Sequence, residues 1–397
     1  MEGFLLRRPA RLRQLTEEQR LLVESARAFA RHELAPKAAD WDRDHHFPVE
    51  VIRAAAEQGY LGLYIAEEDG GLGLSRLSTS LIFEQLAAGC VATTAYISIH
   101  NMAAWMLASF GDAALKEAWL PGLIGGESLA SYCLTEPDAG SDAARLRTRA
   151  RREGDEYVLD GSKCFISGAG STQVLIVMAR TGEDGARGIS CFLVPADAPG
   201  IRYGRNEDKM GWRAQPTRTI TFEGVRIPAG NRIGPEGQGF VYAMKGLDGG
   251  RLNIASCSLG AAQAALEQSM RYVEEREQFG KPLATFQALQ FKLADMLTEL
   301  TASRQMVRLG AHRLDRGDAE ATLYCAMAKR FATDRCFDVC NEALQLHGGY
   351  GYLNDYPLER WVRDTRVHQI LEGTNEIMRV IVARRLLEQG GMLDRLL

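Results

Sequence analysis

Apolar residues Leu21, Leu22, Ala26 and Phe29 recur at three- and four-residue spacing between Thr16 and Ala35, which predicts an amphipathic helix. Thr16 with Gln19 supplies a capping box at its start. The stretch 81–110 is rich in Ala, Leu, Ile and Met and reads as a buried bundle helix, with Pro121 marking a turn near its end. Around Ser131 the period changes to short β-prone runs at 147–152, 157–159, 164–167, 174–179, 189–194 and 217–222. Gly154-Asp155 and Asp160-Gly161 read as hairpin turns between them, so a compact antiparallel β domain is expected here. Helical periodicity returns over 240–275, 286–315 and 319–346, and a last helix starts at Ile377, where Val380, Ile381 and Val382 suit a buried face. The chain is therefore expected to be mainly α with a central β domain. The expected units are an N-terminal helical domain (1–128), a middle β domain (129–238) and a C-terminal helical domain (239–397).

A chain of 397 residues is long for one core and has interior enough to bury a large cofactor. A net charge of -4 argues against nucleic acid as the main partner. No apolar run reaches the length of a membrane span, and no secretory signal is evident. The first fifteen residues are Arg-rich but fit a targeting peptide poorly. A cytoplasmic location is expected, or the mitochondrial matrix for a eukaryotic source after removal of a transit peptide. The eight cysteines include only one close pair, Cys336 and Cys340, and no CxxC, so reduced buried thiols are expected rather than disulfides or zinc. His45 and His46 beside Asp42 and Asp44 read as a solvated turn, and no metal site is expected. No strand runs into a GxGxxG turn, and Gly70-Gly71-Leu72-Gly73 lacks the spacing of a Rossmann site.

The segment Gln369-Ile370-Leu371-Glu372-Gly373-Thr374-Asn375-Glu376-Ile377 places a carboxylate at a helix break. Gly373 accepts torsions that let backbone approach a ligand, and Thr374 can cap the helix that follows. Glu372 is thus a candidate general base, although the same residues also suit a surface glutamate in a helix–helix turn.

Upstream lie Tyr132-Cys133-Leu134-Thr135-Glu136-Pro137-Asp138-Ala139-Gly140-Ser141-Asp142 and Arg276-Glu277-Gln278-Phe279-Gly280-Lys281-Pro282-Leu283. Taken with the Glu372 segment, in this order and at these separations, they resemble the acyl-CoA dehydrogenase family over nearly the whole chain. The resemblance implies an antiparallel β-barrel-like middle domain, a C-terminal four-helix bundle and FAD between them. Desaturating a thioester needs a base for the α proton, an acceptor for the β hydride and donors for the thioester oxygen; no side chain accepts hydride, so a redox cofactor is required. The resemblance makes Glu372 the base, with its backbone N–H and a ribityl hydroxyl of FAD as the oxygen donors.

By the same resemblance Tyr132, Leu134, Thr135, Gly140 and Ser141 contact FAD, and Ser141 also meets the CoA part of the substrate. Phe165, Ile166 and Ser167 form the next flavin segment, where many members carry Trp and Thr. Arg276, Phe279, Gln287, Gln345, Gly348 and Gly349 match contacts to the ADP half of FAD, with Arg276 and Phe279 reaching a neighbouring subunit's cofactor. Gly348-Gly349 equally suits a helix C-terminal cap. Thr374 and Glu376 complete the cofactor set.

Asp248, Arg251, Leu371 and Gly373 are the implied substrate contacts. Gly250, before Arg251, holds glycine where members specialised for isovaleryl or long-chain thioesters carry their base. The segments 250–262 and 362–372 look most like members acting on a short branched-chain acyl-CoA, isobutyryl-CoA foremost, oxidised to methacrylyl-CoA as in valine breakdown. Butyryl-CoA and 2-methylbutyryl-CoA are the alternatives. Electron transfer flavoprotein as acceptor and a homotetramer are also implied. The rival of another class is a flavin-binding scaffold that has lost dehydrogenation.

Overall fold

The computed structural model describes residues 15–388, so the Arg-rich start and the last nine positions lie outside it. The described residues open with α1 (Glu17–Phe29), which runs on through a wider turn to Leu34, then α2 (Ala38–Arg43) and α3 (Val49–Glu57). The capping box is present: Thr16 Oγ1 accepts from the Gln19 amide at 3.2 Å and Gln19 returns the bond. The run 81–110 is two helices, α4 (Arg76–Gly89) and α5 (Val91–Phe110). They part at Cys90, which is extended, and Gly89 before it packs so closely on the Ala30 turn that a Cβ there would stand 2.7 Å from the Ala30 carbonyl oxygen. Pro121 lies inside the next helix, α6 (Ala113–Ile124), rather than at a turn after the pair.

The middle of the chain forms one eight-stranded sheet: β1 (Ala130–Cys133), β2 (Arg149–Glu153), β3 (Glu156–Ser167), β4 (Val174–Arg180), β5 (Ile189–Pro195), β6 (Ile201–Tyr203), β7 (Thr217–Pro228) and β8 (Arg232–Ile233). Its ladder order is β6-β7-β3-β2-β4-β5-β8, with β1 paired to β4. Pairing is antiparallel except where β4 meets β1 and, at one residue pair, β2. The continuous apolar run of β4 is explained by burial on both faces. Val174, Ile176 and Met178 face the helices, whereas Leu175, Val177 and Ala179 face the sheet's own second core. Gly154-Asp155 makes the expected hairpin turn, but Asp160-Gly161 does not. There β3 runs straight on and takes up Gly161 (φ 147°) as a bulge.

From α7 (Gly239–Glu275) the chain is helical again. A small hairpin, β9 (Glu277–Gln278) and β10 (Lys281–Pro282), leads to α8 (Gln287–Asp315) and α9 (Ala321–His347). Then come α10 (Gly349–Tyr352), α11 (Leu358–Arg366) and α12 (Asn375–Glu388). Helices α7, α8 and α9 share one core, α12 lies along α9 as the fourth long helix, and α4 packs on α7. In α12 the buried side chains are Asn375 and Met378, while Val380 is 46% exposed and Ile381 and Val382 are half-buried, so the expected apolar face does not point inward within this chain.

Candidate active site

Glu372 sits in the turn between a 3-10 segment (Val367–Gln369) and α12, with φ 54°, and Gly373 follows at φ 88°. A non-glycine residue in the left-handed region persists only where its surroundings hold it. Lys329 Nζ on α9 donates to the Gly373 carbonyl at 2.7 Å and to Asn375 Oδ1 at 2.8 Å. Thr374 Oγ1 accepts from the Ile377 amide at 3.2 Å, capping α12, and Leu371 packs against the core of the N-terminal helices. The residue as a whole is half-buried, yet Glu372 Oε2 is enclosed and has no hydrogen-bond partner among the described residues. Burial raises the carboxyl to about 7, against the pull of the Arg251 and Lys329 charges. A carboxylate poised near neutrality and freed of internal partners can take a proton from a bound molecule.

Opposite it, α7 presents Gly246, Gly249 and Gly250 on one face, at the i, i+3, i+4 spacing of neighbours on a helix. A Cβ on Gly250 would overlap Glu372 Oε2 and stand 3.1 Å from Met102 Sδ; one on Gly249 would overlap the Arg76 guanidinium. This trench is walled by Tyr64, whose ring carries the Arg76 guanidinium 3.5 Å above its centre, and by Trp105 beyond it. Asn253, one turn along α7, donates to the Tyr64 hydroxyl at 3.3 Å. Arg251 is 4% exposed and is paired to Asp248 at 2.6 Å, which also accepts from Thr322 at 2.6 Å; Arg251 Nε has no partner. The Tyr132 hydroxyl, at the end of β1, is enclosed and unpartnered, and both burial and the Glu372 charge push its pKa up.

Sequence reasoning missed Tyr64, Arg76, Met102, Trp105 and Lys329. Only Lys329 left a signal, as a charge within the buried stripe Cys325, Ala328, Ala332 and Cys336 of α9.

The loop 132–142 is anchored from beneath. Glu136, nearly buried, accepts from the Arg147 amide at 2.6 Å, the Thr148 amide at 2.9 Å and Lys163 Nζ at 2.7 Å; Lys163, fully buried, also donates to the Leu134 carbonyl at 3.0 Å. The Cys164 amide donates to the Thr135 carbonyl at 2.9 Å. Leu134 and Ile166 turn their side chains into the cores, so only their backbones face the loop side. Gly140 and Ser141 are exposed. A second bulge in β3, between Lys163 and Ile166, puts Phe165 at φ 57° and turns its ring outward, 69% exposed, with Ser167 half-buried beside it.

A second group of expected residues gathers elsewhere. Arg276 follows α7, its guanidinium 5.7 Å from the Tyr350 ring centre, and Phe279 has φ 53° and is 91% exposed. Gln287 opens α8, Gln345 is exposed near the end of α9, and Gly348 (φ 58°) caps that helix, its amide donating a hydrogen bond to the Gln345 carbonyl at 3.0 Å. A Cβ on Gly348 or Gly349 would touch nothing, so packing within the chain does not demand glycine there. From Gly250 to Arg276 is 26 residues of α7, roughly 39 Å of helix. One chain therefore holds two separate clusters. Glu376 is exposed and pairs with Arg379 at 3.6 Å. No group of three metal-ligating side chains occurs among the described residues.

The chain belongs to the acyl-CoA dehydrogenase family: family models for its N-terminal, middle and C-terminal domains match residues 16–127, 131–225 and 237–387. It is 53% identical to the mitochondrial isobutyryl-CoA dehydrogenase of Bos taurus, over 94% of this chain and 90% of that protein. Among solved structures, butyryl-CoA dehydrogenase from Megasphaera elsdenii matches with a TM-score of 0.91 at 39% identity, covering 94% of this chain and 99% of that one. A chain in a structure of the electron transferring flavoprotein of Acidaminococcus fermentans matches with a TM-score of 0.92 at 39% identity, covering 94% and 98%.

This protein is accordingly an FAD-dependent oxidoreductase. The residues present fit that cofactor. Phe165 and Phe279 offer exposed aromatic faces on constrained backbone, Gly140, Gly348 and Gly349 leave backbone open to close approach, and Tyr132, Arg251 and Glu372 each carry an enclosed, unpartnered polar atom.

Proposed function

We propose that this chain dehydrogenates a short branched-chain acyl-CoA, isobutyryl-CoA to methacrylyl-CoA as in valine breakdown, with Glu372 as base. The observation that carries the mechanism is the enclosed, unpartnered Glu372 Oε2 opposite Gly250. The substrate choice rests on the 53% identity to a protein named for isobutyryl-CoA. Arg251 and Lys329 favour the carboxylate form that accepts the α proton, and burial raises its proton affinity enough for the transfer to be useful at neutral pH. The left-handed turn aims the carboxylate and the Glu372 backbone N–H at one thioester, the N–H stabilising charge on its oxygen. Bound FAD supplies the acceptor for the β hydride, which no side chain here can provide.

In this reading Thr135, Gly140, Ser141, Phe165 and Ser167 hold FAD by side chain or backbone, Tyr132 lies beside it, and Leu134 and Ile166 contribute backbone alone. Thr374 and Glu376 flank it at the start of α12. Asp248, Arg251, Leu371, Gly373 and Ser141 line the thioester's path. Arg276, Phe279, Gln287, Gln345, Gly348 and Gly349 serve the ADP half of a neighbouring subunit's FAD. The roughly 39 Å of helix between their end of the bundle and Gly250 supports that sharing, because one FAD does not span it. A homotetramer meets the requirement, and the exposed Val380, Leu386 and Leu387 of α12 offer apolar surface to neighbours. The chain divides at 128/129 and 238/239.

Electrons leave to an electron transfer flavoprotein, a reading supported by the structural match to a chain in such a structure. No helix of the described residues is long and apolar enough to cross a membrane. We place the protein in the cytoplasm, or in the matrix if its source has mitochondria.

Anaerobic bleaching of the FAD-loaded protein by a panel of short acyl-CoAs tests the reading. Isobutyryl-CoA is expected to bleach fastest. A faster butyryl-CoA or 2-methylbutyryl-CoA would move the substrate, and no bleaching by any of them would leave a flavin-binding scaffold.

A further inference from the structure

Lys329 is fully buried on α9, yet among the described residues it makes no ion-pair contact with a carboxylate. Its ammonium is spent on the Gly373 carbonyl and Asn375 Oδ1, the residues one and three places after Glu372. Asn375 is fixed in turn: its amide nitrogen donates to Asp334 Oδ1 at 2.7 Å and Thr333 Oγ1 at 2.9 Å, so the oxygen must face the lysine. Three residues of α9 thereby grip the turn that keeps Glu372 at positive φ. The grip also brings a cation near enough for its charge to act on the Glu372 carboxylate without bonding to it, leaving Oε2 unpartnered among the described residues. A direct ion pair at Oε2 would compete with the substrate proton for that oxygen.

We propose that Lys329 is the positioning residue of this site: its ammonium clamps the Glu372 turn to α9 and sets the pH range over which Glu372 accepts a proton. This inference rests on the reading of Glu372 as base.

The charged and titratable groups around the pair come from every neighbouring element. Arg251 faces it from α7, Asp334 from α9 itself, Glu376 from α12, and Tyr64 and Tyr132 lie on the far side of Glu372. His368, on the preceding turn, adds no charge. Burial and then Lys329 hold it down to about 3, and its ring nitrogens engage Ser258 Oγ at 2.7 Å and the Trp212 indole N–H at 3.2 Å. Lys329 itself is lowered to about 7 by burial, with Glu372 as the largest opposing influence, so each group's charge sustains the other's.

The test compares FAD-loaded wild type with Lys329→Met and Lys329→Gln. Glutamine still offers a donor to the Gly373 carbonyl and so guards against a variant that fails to fold. Flavin bleaching is followed from pH 6 to 9 with whichever short acyl-CoA bleaches the wild type fastest, so a wrong substrate assignment changes the thioester and leaves the comparison intact. The Glu372 carboxyl is also titrated by infrared difference spectroscopy, its band identified as the one missing from Glu372→Gln.

Loss of the cation is expected to raise both midpoints by roughly one pH unit, with bleaching about tenfold slower at pH 6.5 and approaching wild type at pH 9. Unshifted midpoints in a folded, FAD-bearing variant would overturn the proposal, even with a lowered melting temperature, because Lys329 would then be a structural strut alone. A wild-type infrared midpoint that does not respond to Glu372→Gln would instead count against the reading of Glu372.

Discussion

Gly250 and Glu372 face each other so closely that a side chain on one excludes the carboxylate of the other. A Cβ on Gly250 would overlap Glu372 Oε2 and stand 3.0 Å from its Cδ. Backbone on both sides is fixed, by the interior of a 37-residue helix and by a turn bonded to α9. The two positions thus admit one acidic side chain between them, and in this chain the acid is on the turn.

Gly250→Ala is expected to fold and keep FAD, since the flavin loop and its Glu136–Lys163 anchor lie elsewhere, but to bleach at least ~10-fold more slowly as the carboxylate is displaced. Stopped-flow reduction with isobutyryl-CoA measures it. A wild-type rate would mean that the carboxylate moves aside without consequence.

Glu372→Gln removes the proton acceptor and keeps the side chain's shape. FAD content should be unchanged and flavin reduction should fall by at least ~10², the usual scale of general-base help. Thioester binding should survive through the backbone N–H. Reduction at near wild-type rate would transfer the role to another carboxylate.

The raised proton affinity of Glu372 fixes the sign of two pH effects. Activity first: the carboxylate form accumulates as pH rises through about 7, so kcat/KM for flavin reduction should climb over that range, broadened by the coupled titration of Lys329. Stability runs the other way. The folded state holds this proton more tightly than the ordinary value of 4.5, so the contribution is complete below 4.5 and is lost as pH rises through about 7. The melting temperature of Glu372→Gln should therefore gain on wild type between pH 5 and pH 8, and Lys329, which loses the carboxylate that helps hold its proton, shifts the comparison in the same direction. A constant difference would show that the carboxyl titrates normally.

How much of this was legible in the sequence depended on how local each signal was. The long helices, the β4 and β5 runs and the Thr16 cap follow from periodicity within a few residues. Asp160-Gly161 misled because the same dipeptide serves a turn or a bulge, and only pairing with β7 decides between them. The exposure of Val380 within one chain is likewise a tertiary fact. At the site, Glu372 and the flavin loop stood out by motif, whereas Tyr64, Arg76 and Trp105 meet across elements whose approach no spacing encodes.

Lys163→Met tests the anchor of the flavin loop. It leaves Glu136 buried with two amide donors and no cation, and breaking a buried pair by removing one partner costs about 3–5 kcal/mol. Thermal unfolding should show a marked loss and FAD should wash out more readily, because the Leu134 carbonyl loses its donor as well. A variant as stable as wild type, with full FAD, would mean that the loop is held by its backbone bonds alone.

Arg276→Ala addresses the cluster at the far end of α7. Its guanidinium is exposed and meets the Tyr350 ring, and beside it Phe279 is 91% exposed at the tip of the β9–β10 hairpin, where it and Gly280 take the left-handed torsions of a two-residue turn. A planar, permanent cation suits a diphosphate, and if that diphosphate belongs to a neighbour's FAD, cofactor and assembly are linked. The variant should retain less FAD after gel filtration and dissociate at lower dilution than wild type, and added FAD should restore both together. Because Gly250, which faces Glu372, lies roughly 39 Å away along α7, the bleaching rate per bound flavin should stay close to wild type. Unchanged FAD occupancy and unchanged assembly would place the cofactor wholly within one subunit.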